Sequence, residues 1–381
     1  MKLSNKKKEN NSPNYSFCKT IKENQNINTF EVFNMKVKDD NSSFIYGYLA
    51  LQNTESKSID IYKIYPKNNF KLIQSIKVNG KNIDFIKFFY DPYLKVYYLS
   101  ALINKINDEN DILIWKIVKE SQCILIYSYT DDMLKGAIIM SVKTAFFRFF
   151  SILFTNSQFF LIIYYKMNLC KRAGYLDIIN MYNNKRLDSP EEVSYFTYKK
   201  IINVFQVNRD TGNYLGVLYI DSFTLFKIIP DEINQNSEEI FDSTDIVKIN
   251  FVDKLNKGEV IDGVLIQDNN NREYLFSSHI YQGKYYILKS DIKYNQITYK
   301  TEINTNELNS MLVWNTSYLI FFEKEGKNIL LLNKRIGKIE KKLINEDKVL
   351  INGKKIKINE NEELLFNTDE TGILNLWNNQ K

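Results

Sequence analysis

The side chains that could perform chemistry are few in this chain, and they stand far apart. It contains one histidine, His279, and three cysteines, Cys18, Cys123 and Cys170. A histidine acts as a general base or metal ligand only with suitable partners, and the surrounding sequence EYLFSSHIYQ supplies none. The spacing also excludes multi-histidine metal sites, CxxC metal knuckles and a disulfide scaffold. We therefore predict that His279 is structural and that the cysteines are small buried apolar residues.

Acidic pairs and Gly-Lys dipeptides are the other candidates for chemistry. The acidic pairs fall in predicted loops, where solvated charge is the ordinary role. They are Asp39–Asp40, Asp108–Glu109, Asp131–Asp132, Glu191–Glu192 and Glu238–Glu239. Asn79–Gly80–Lys81 and Asn352–Gly353–Lys354 lack the GxxxxGK[ST] frame of a phosphate loop, and no GxGxxG, GxSxG or DxDxDG motif occurs. We predict no catalytic, cofactor-binding or metal-binding residues, and we do not expect an enzyme.

Composition places the chain among ordinary folded proteins. Of 381 residues, 44% are hydrophobic and 25% are charged, close to typical globular values. Glycine (13) and proline (5) are scarce, so asparagine must form many of the turns. The 51 cations and 45 anions give a net charge of +6 and are well mixed, which argues against a nucleic-acid-binding stripe.

The N-terminus carries the one obvious cluster of positive charge. Lys2, Lys6, Lys7 and Lys8 lie in a polar stretch without an apolar core, so residues 1–15 are predicted to form a disordered basic arm. No apolar segment follows the basic residues, which argues against a secretory signal. We expect residues 16–381 to form a single domain and the protein to be intracellular, in the cytoplasm.

An apolar run from Ala145 to Tyr165 allows two interpretations. Its 21 residues, AFFRFFSILFTNSQFFLIIYY, are long enough for a membrane helix. However, Arg148 and the central residues 155–158 (TNSQ) would be costly inside a bilayer. The same TNSQ segment reads as a turn between two Phe- and Ile-rich strands, and we favour this hairpin.

Strand-like segments recur along the whole chain, and sustained helical periodicity is missing. The chain ends in DETGILNLWNN, in which Gly372 is followed by an aliphatic strand that ends in Trp377. The same frame fits Asn110–Trp115. It fits more weakly at Lys57–Tyr62, Gly174–Ile179, Asp221–Phe226, Gly283–Leu288 and Lys327–Leu332. These segments resemble the third strand of the WD40 repeat.

The resemblance to the WD40 family implies an all-β fold, a seven-bladed β-propeller of four-stranded antiparallel blades. The seven frames are about 45–65 residues apart, and the wider gaps are interpreted as loop insertions; blade three is enlarged around residues 131–200. Six or eight blades, or two β-sandwich domains, are the alternatives. The last blade lacks an outer strand, so we predict that Ser16–Ile21 pairs with Gly372–Trp377 and closes the ring.

The sequence also departs from the WD40 pattern. The GH dipeptide is absent, and Lys116 and Asn378 follow the two tryptophans where the family has aspartate. We therefore expect no hydrogen-bonded Asp-His-Ser-Trp tetrad, and we expect apolar packing to hold the blades together.

The resemblance implies a non-catalytic scaffold that docks protein peptides or subunits on its faces and rim. One alternative is a membrane-surface or phosphoinositide-associated propeller, which would use the basic loop 166–172. A propeller enzyme is the other. We expect protein partners, no cofactor, no nucleic acid, no membrane span and no small-molecule substrate.

Overall fold

All regular secondary structure in the described part of the computed structural model is β-strand. The structure describes residues 15–21, 27, 29–39, 42–80, 82–91, 94–104, 110–119, 122–130, 146–154, 159–167, 176–180, 186–187, 201–209, 212–228, 241–251, 258–268, 272–305, 308–313, 318–323, 328–344, 350–358, 362–369 and 373–379. The predicted basic arm, residues 1–15, lies outside these ranges except for Tyr15, which begins the first strand.

The strands follow one another with short connections in most of the chain. In order they are β1 Tyr15–Ile21, β2 Phe30–Asp39, β3 Ser42–Asn53, β4 Ser58–Tyr65, β5 Asn69–Lys77, β6 Asn82–Asp91, β7 Val96–Asn104, β8 Asn110–Lys119, β9 Gln122–Thr130, β10 Phe146–Phe154, β11 Phe159–Met167, β12 Leu176–Asn180, β13 Arg186–Leu187, β14 Ile201–Arg209, β15 Gly212–Tyr219, β16 Ser222–Ile228, β17 Phe241–Asn250, β18 Glu259–Gln267, β19 Glu273–Tyr281, β20 Lys284–Asp291, β21 Gln296–Ile303, β22 Leu308–Val313, β23 Tyr318–Glu323, β24 Asn328–Asn333, β25 Lys338–Ile344, β26 Leu350–Lys357, β27 Glu363–Asp369 and β28 Leu374–Asn379.

Strands that are consecutive in the sequence pair with each other and form four-stranded antiparallel sheets. In ring order, sheet 1 is β2–β5, sheet 2 is β6–β9, sheet 3 is β10–β13, sheet 4 is β14–β17, sheet 5 is β18–β21, sheet 6 is β22–β25, and sheet 7 is β26–β28 with β1. The first strand of each sheet packs against a strand of the preceding sheet, and β2 of sheet 1 packs against β26 of sheet 7. This circular order is that of a β-propeller, with the first strands innermost.

The prediction of a seven-bladed propeller needs correction, because the described residues form six full blades. Sheets 1, 2, 4, 5, 6 and 7 each have four strands of at least six residues. In sheet 3, β12 has five residues and the outer strand β13 has only two, Arg186–Leu187. The sequence that follows, Asp188–Ser189–Pro190, favours a turn, and proline has no amide hydrogen for a strand ladder. Within its described residues, the enlarged third unit therefore lacks a full outer strand.

The two ends of the chain meet in sheet 7. Strand β1 pairs antiparallel with β28, with Phe17 opposite Trp377 and Ile21 opposite Leu374. The sequence predicted this closure, but the paired segment of the C-terminus is Leu374–Asn379, two residues beyond the predicted one. Sheet 7 is therefore complete only because the N-terminal segment supplies its outer strand.

The cores of the described sheets lie between neighbouring blades. Phe33 and Tyr48 of sheet 1 pack with Leu99 and Trp115 of sheet 2, for example. Similar clusters fill the spaces between sheets 4 and 5, 5 and 6, 6 and 7, and 7 and 1. Because strand side chains alternate between the two faces of a sheet, each blade contributes to the core on both sides.

The described parts of the apolar run, residues 146–154 and 159–165, pair as the hairpin that the sequence favoured. Strands β10 and β11 pair along their whole length, from Phe146 opposite Met167 to Phe154 opposite Phe159. Within the described ranges, no helix has the length and apolar character needed to cross a membrane.

Candidate interaction face

The antiparallel order gives the ring two different faces. In each blade the innermost strand ends where the second begins, and the third strand ends at this same side. We call this side the lower face; it holds the turns that join the first strand to the second and the third to the fourth. The connections between blades lie on the upper face, together with the turns between second and third strands.

Exposed large apolar side chains gather on the lower face. Ile45, Leu94, Tyr294 and Ile336 are all more than half exposed, and each lies in a lower-face turn or at the lower end of its strand. Tyr90 and Val118, also exposed, lie at lower strand ends too. The other exposed large apolar residues of the described chain, Leu72, Ile124, Leu125 and Ile126, lie on outer strands. None lies on the upper face.

Two ordered turns present the most prominent of these side chains. In sheet 5, the Asp291 carboxylate accepts a hydrogen bond from the Tyr294 amide (3.2 Å), and Asn295 completes the turn with φ of 51°. In sheet 6, Oδ1 of Asn333 accepts hydrogen bonds from the amides of Arg335 and Ile336 (3.0 and 3.4 Å). Both turns contain an Asx hydrogen bond and an asparagine, the residue that the glycine-poor composition predicted in turns.

The sheet 6 turn is also packed against sheet 5. Gly337 has φ of 68°, a conformation that glycine adopts without strain. A side chain there would meet the Thr301 hydroxyl at 2.6 Å and the Tyr299 ring at 2.9 Å. The Tyr299 hydroxyl donates a hydrogen bond to the Lys334 carbonyl oxygen (3.0 Å). The turn that carries Ile336 is therefore fixed in place.

Lysines on this face are held among aromatic rings. The ammonium of Lys289 lies 4.2 Å from the centroid of the Tyr274 ring, with Phe276 and Tyr299 at 5.7 and 5.9 Å. The ammonium of Lys63 lies 3.4 Å from the centre of the Tyr46 ring. Such contacts stabilise a cation that burial has partly removed from water.

Burial also changes the pKa values of lysines in this region. It lowers the pKa of Lys289. Burial, followed by the charges of Lys289 and Lys355, lowers the pKa of Lys334 to about 8. The lower face between sheets 5, 6 and 7 therefore combines exposed apolar side chains with cations whose positions are constrained.

An ion pair joins sheets 4 and 5 at the same face. The Arg209 guanidinium donates to both carboxylate oxygens of Glu273, with Nε 3.0 Å from Oε1 and 2.9 Å from Oε2, and Nη2 also contacts Oε2. The hydrogen bond to Glu273 is the main cause that raises the pKa of Arg209. Arg209 also lies over the Tyr214 ring, 4.6 Å from its centroid.

His279 lies in the interior and has a polar partner. Its Nε2 is 2.7 Å from the Ser277 hydroxyl, and the ring meets Phe251 edge-on. Burial, with a smaller effect of Lys300, lowers the pKa of His279 to about 3. The fully buried imidazole is therefore out of reach of a molecule in solution.

The Gly-Lys segment 352–354 lies in the inner strand β26 and forms no phosphate loop. Gly353 is needed there, because a Cβ atom would clash with the Phe322 ring. The Lys354 ammonium bonds the Glu31 carboxylate of sheet 1 at 3.1 Å. These residues therefore stabilise the contact between sheet 7 and sheet 1.

The remaining candidates are placed only in part. Burial raises the pKa of the half-buried Cys123 thiol to about 12. Cys18 lies in β1 and Asp39 ends β2, while Asp40, Cys170 and the other four acidic pairs fall outside the described residues. So do residues 168–172 of the basic loop, whose proposed role in lipid binding stays a prediction. The described ranges hold no group of three or more His, Cys, Asp or Glu side chains suited to a metal.

Sequence reasoning missed the lower face. The Lys289 contacts depend on strand register, which places Phe276 and Tyr299 beside it on neighbouring strands. The sequence around the exposed turn residues could have predicted them. Tyr294 stands between Asp291 and Asn295, and Ile336 stands between Asn333 and Gly337. An apolar residue within such a turn-forming segment is unusual and predicts exposure.

Comparisons with known proteins support the fold. No family model matches the chain, and no curated protein matches its sequence. Among solved structures, BBS1N from a crystal structure in complex with ARL6DN is 8% identical, with a TM-score of 0.56 over 96% of this chain and 97% of that one. The WD40 β-propeller domain of Doa1 is 9% identical, with a TM-score of 0.53 over 97% and 98%. The AfRom2 CNH domain is 10% identical, with a TM-score of 0.51 over 96% and 98%. The chain therefore has a divergent WD40-like propeller fold.

Proposed function

We propose that this chain is a non-catalytic scaffold that binds a protein partner on its lower face. The observation that carries the proposal is the grouping of exposed apolar side chains on that face, with Ile45, Leu94, Tyr294 and Ile336 the most exposed. Exposed apolar groups that share one surface favour that surface as an interaction site.

The chemistry of the face supports a protein as the partner. Tyrosines and aromatic-bound lysines lie on the same face as the apolar side chains, and aromatic anchors with a polar tip are enriched at protein interfaces. The turns at Tyr294 and Ile336 are fixed by hydrogen bonds. A preorganised surface loses less conformational entropy on binding, which favours affinity. The solved complex of BBS1N with ARL6DN shows that another propeller is found with a protein partner.

The buried state of His279 supports a role other than catalysis. This is the only histidine of the chain, and its side chain is fully buried. It is therefore not available as a general base at the surface.

The test compares partner binding by three forms of the full chain, purified with a tag from cells that produce it. The first is the wild type, the second is Tyr294→Ser with Ile336→Ser, and the third is Leu72→Ser, a matched change at an exposed leucine of an outer strand. Proteins retained by the wild type are identified by mass spectrometry and then produced, and their affinities are measured by calorimetry.

The proposal expects a protein that binds the wild type and Leu72→Ser equally and binds the double variant at least about tenfold more weakly, a loss of about 1.4 kcal/mol. Equal binding by the double variant would show that the lower face is not the site. A wild-type chain that retains no protein would contradict the scaffold role itself.

A further inference from the structure

One blade edge differs from the others that the structure describes. Strand β9 is the outer strand of sheet 2, and among the described strands it pairs with β8 alone. It presents three consecutive exposed aliphatic side chains, Ile124, Leu125 and Ile126, each about half exposed. The strand reads QCILIYSYT and has no charged residue and no proline.

Every other described outer strand carries charge. They are β1 with Lys19, β5 with Lys71 and Lys77, β13 with Arg186, β17 with Asp242, Asp245 and Lys248, β21 with Lys300 and Glu302, and β25 with Lys338, Glu340, Lys341 and Lys342. Charged side chains on an edge, lysine above all, oppose the addition of another strand. A bulge also protects an edge, but the outer strands of all six full blades have a register shift against their neighbour. The missing charge is therefore what sets β9 apart.

We propose that β9 is a dimerisation edge, at which it pairs antiparallel with β9 of a second copy of this chain. This inference does not depend on the role of the lower face. The free amide and carbonyl groups of an edge strand are a template for a further strand, and a two-fold contact uses the same surface of both copies.

The sequence of β9 is compatible with such a two-fold pair. With Leu125 at the centre, Leu125 faces its own equivalent and Ile124 faces Ile126 of the other copy. Apolar side chains then meet on both faces of the joined sheet, and cross-strand pairs of this kind contribute about 0.2–1 kcal/mol each. Because the strand is uncharged, no charged side chain loses water when the edges meet.

The experiment measures the oligomeric state of the untagged full chain by sedimentation velocity from about 1 to about 100 μM, a range over which mass action reveals a weak dimer. The variant is Leu125→Lys. The matched control is Leu72→Lys, since Leu72 is an equally exposed leucine on outer strand β5. Ile124→Lys repeats the test one residue away. Circular dichroism and thermal unfolding check that each variant is folded.

We expect the wild type and Leu72→Lys to dimerise alike, and both β9 variants to dimerise at least about tenfold more weakly. Hydrogen exchange gives a second readout, because the β9 amides should become more protected as concentration rises. A wild-type chain that stays monomeric throughout would overturn the proposal. So would a dimer that Leu125→Lys leaves intact, or one that forms without added protection of β9.

Discussion

The indole Nε1 of Trp377 donates a hydrogen bond to Oδ1 of Asn367 on the neighbouring strand, at 2.5 Å, and both side chains are buried. The two residues belong to sheet 7, the sheet that contains both ends of the chain. Trp377 also packs between this sheet and sheet 6, beside Leu365 and Ile320. The sequence lacks the four-residue polar network of the WD40 family, but this tryptophan still has a polar partner in the next strand.

Substitutions at Trp377 should separate packing from hydrogen bonding. We expect Trp377→Ala to lower the free energy of unfolding by about 3–5 kcal/mol, because it leaves a large cavity between two sheets. Trp377→Phe should cost about 1–3 kcal/mol, since it keeps most of the packing but leaves the Asn367 amide oxygen without its donor. Urea unfolding measures both values.

A double-mutant cycle with Asn367→Leu isolates the hydrogen bond. If the bond contributes as described, the effects of Trp377→Phe and Asn367→Leu will differ from additivity by at least about 0.5 kcal/mol. Strict additivity would show that the contact adds nothing to stability.

The ion pair between sheets 4 and 5 should matter more than an exposed one. Glu273→Ala leaves the partly buried Arg209 without its carboxylate, and we expect a loss of about 2 kcal/mol in the free energy of unfolding. The matched control is Glu302→Ala. Its partner, Lys284, is 59% exposed, against 24% for Arg209, so solvent screens the pair and no measurable change is expected. Equal effects of the two substitutions would contradict the role given to Arg209 and Glu273.

Local patterns in the sequence predicted much of the fold. The frame that ends in Trp115 and Trp377 correctly located the third strands β8 and β28, because a strand buried on both faces needs a continuous aliphatic run. The need to complete the last sheet correctly predicted its pairing with the N-terminal segment. The two-residue β13 was not foreseen, since the count of blades relied on third strands alone.

The lower face could not be predicted as a site, for a physical reason. Glu273 is 64 residues from Arg209, and no local pattern fixes how two blades pack against each other. The contact of Tyr299 with the turn at Lys334 likewise depends on how two blades pack together. The sequence does predict that such turns exist, because their Asx residues act locally, but it does not tell which turns share a face.

His279 should make stability depend on pH between about 5 and 6.5. Burial lowers its pKa in the folded chain to about 3, while the unfolded chain has the ordinary value of about 6.5. Protons therefore bind the unfolded chain more strongly, so stability is full above pH 6.5 and falls as pH decreases towards 3. The slope approaches about 1.4 kcal/mol per pH unit.

This window isolates one group, because the chain has a single histidine and carboxylates titrate nearer pH 4. Urea unfolding at pH 7, 6 and 5 should show a fall for the wild type and a clearly smaller fall for His279→Gln. Parallel curves for the two proteins would show that His279 is not held neutral in the fold.

Two deletions at the N-terminus should differ in their effect, because only the longer one removes β1. Removal of residues 1–22 takes away β1, which leaves β28 without its outer partner, and should lower the melting temperature of the whole protein. Removal of residues 1–12 keeps all of β1 and should leave the melting temperature nearly unchanged. Differential scanning calorimetry measures both. A large decrease for the shorter deletion would contradict the assignment of that segment as an arm outside the domain.

The pairing of the N-terminal and C-terminal strands in one sheet closes the ring on which the lower face lies. Cysteine cross-linking tests it directly in a Cys18→Ser background. Ser16 lies opposite Asn378, so Ser16→Cys with Asn378→Cys should form an intramolecular disulfide, seen by non-reducing electrophoresis and intact mass. Asn375 is three residues further along the strand, about 10 Å away, which is beyond the reach of a disulfide. We expect efficient cross-linking of Ser16→Cys with Asn378→Cys and little cross-linking of Ser16→Cys with Asn375→Cys. No cross-link in the first pair, or equal yields from both pairs, would contradict the closure of the ring.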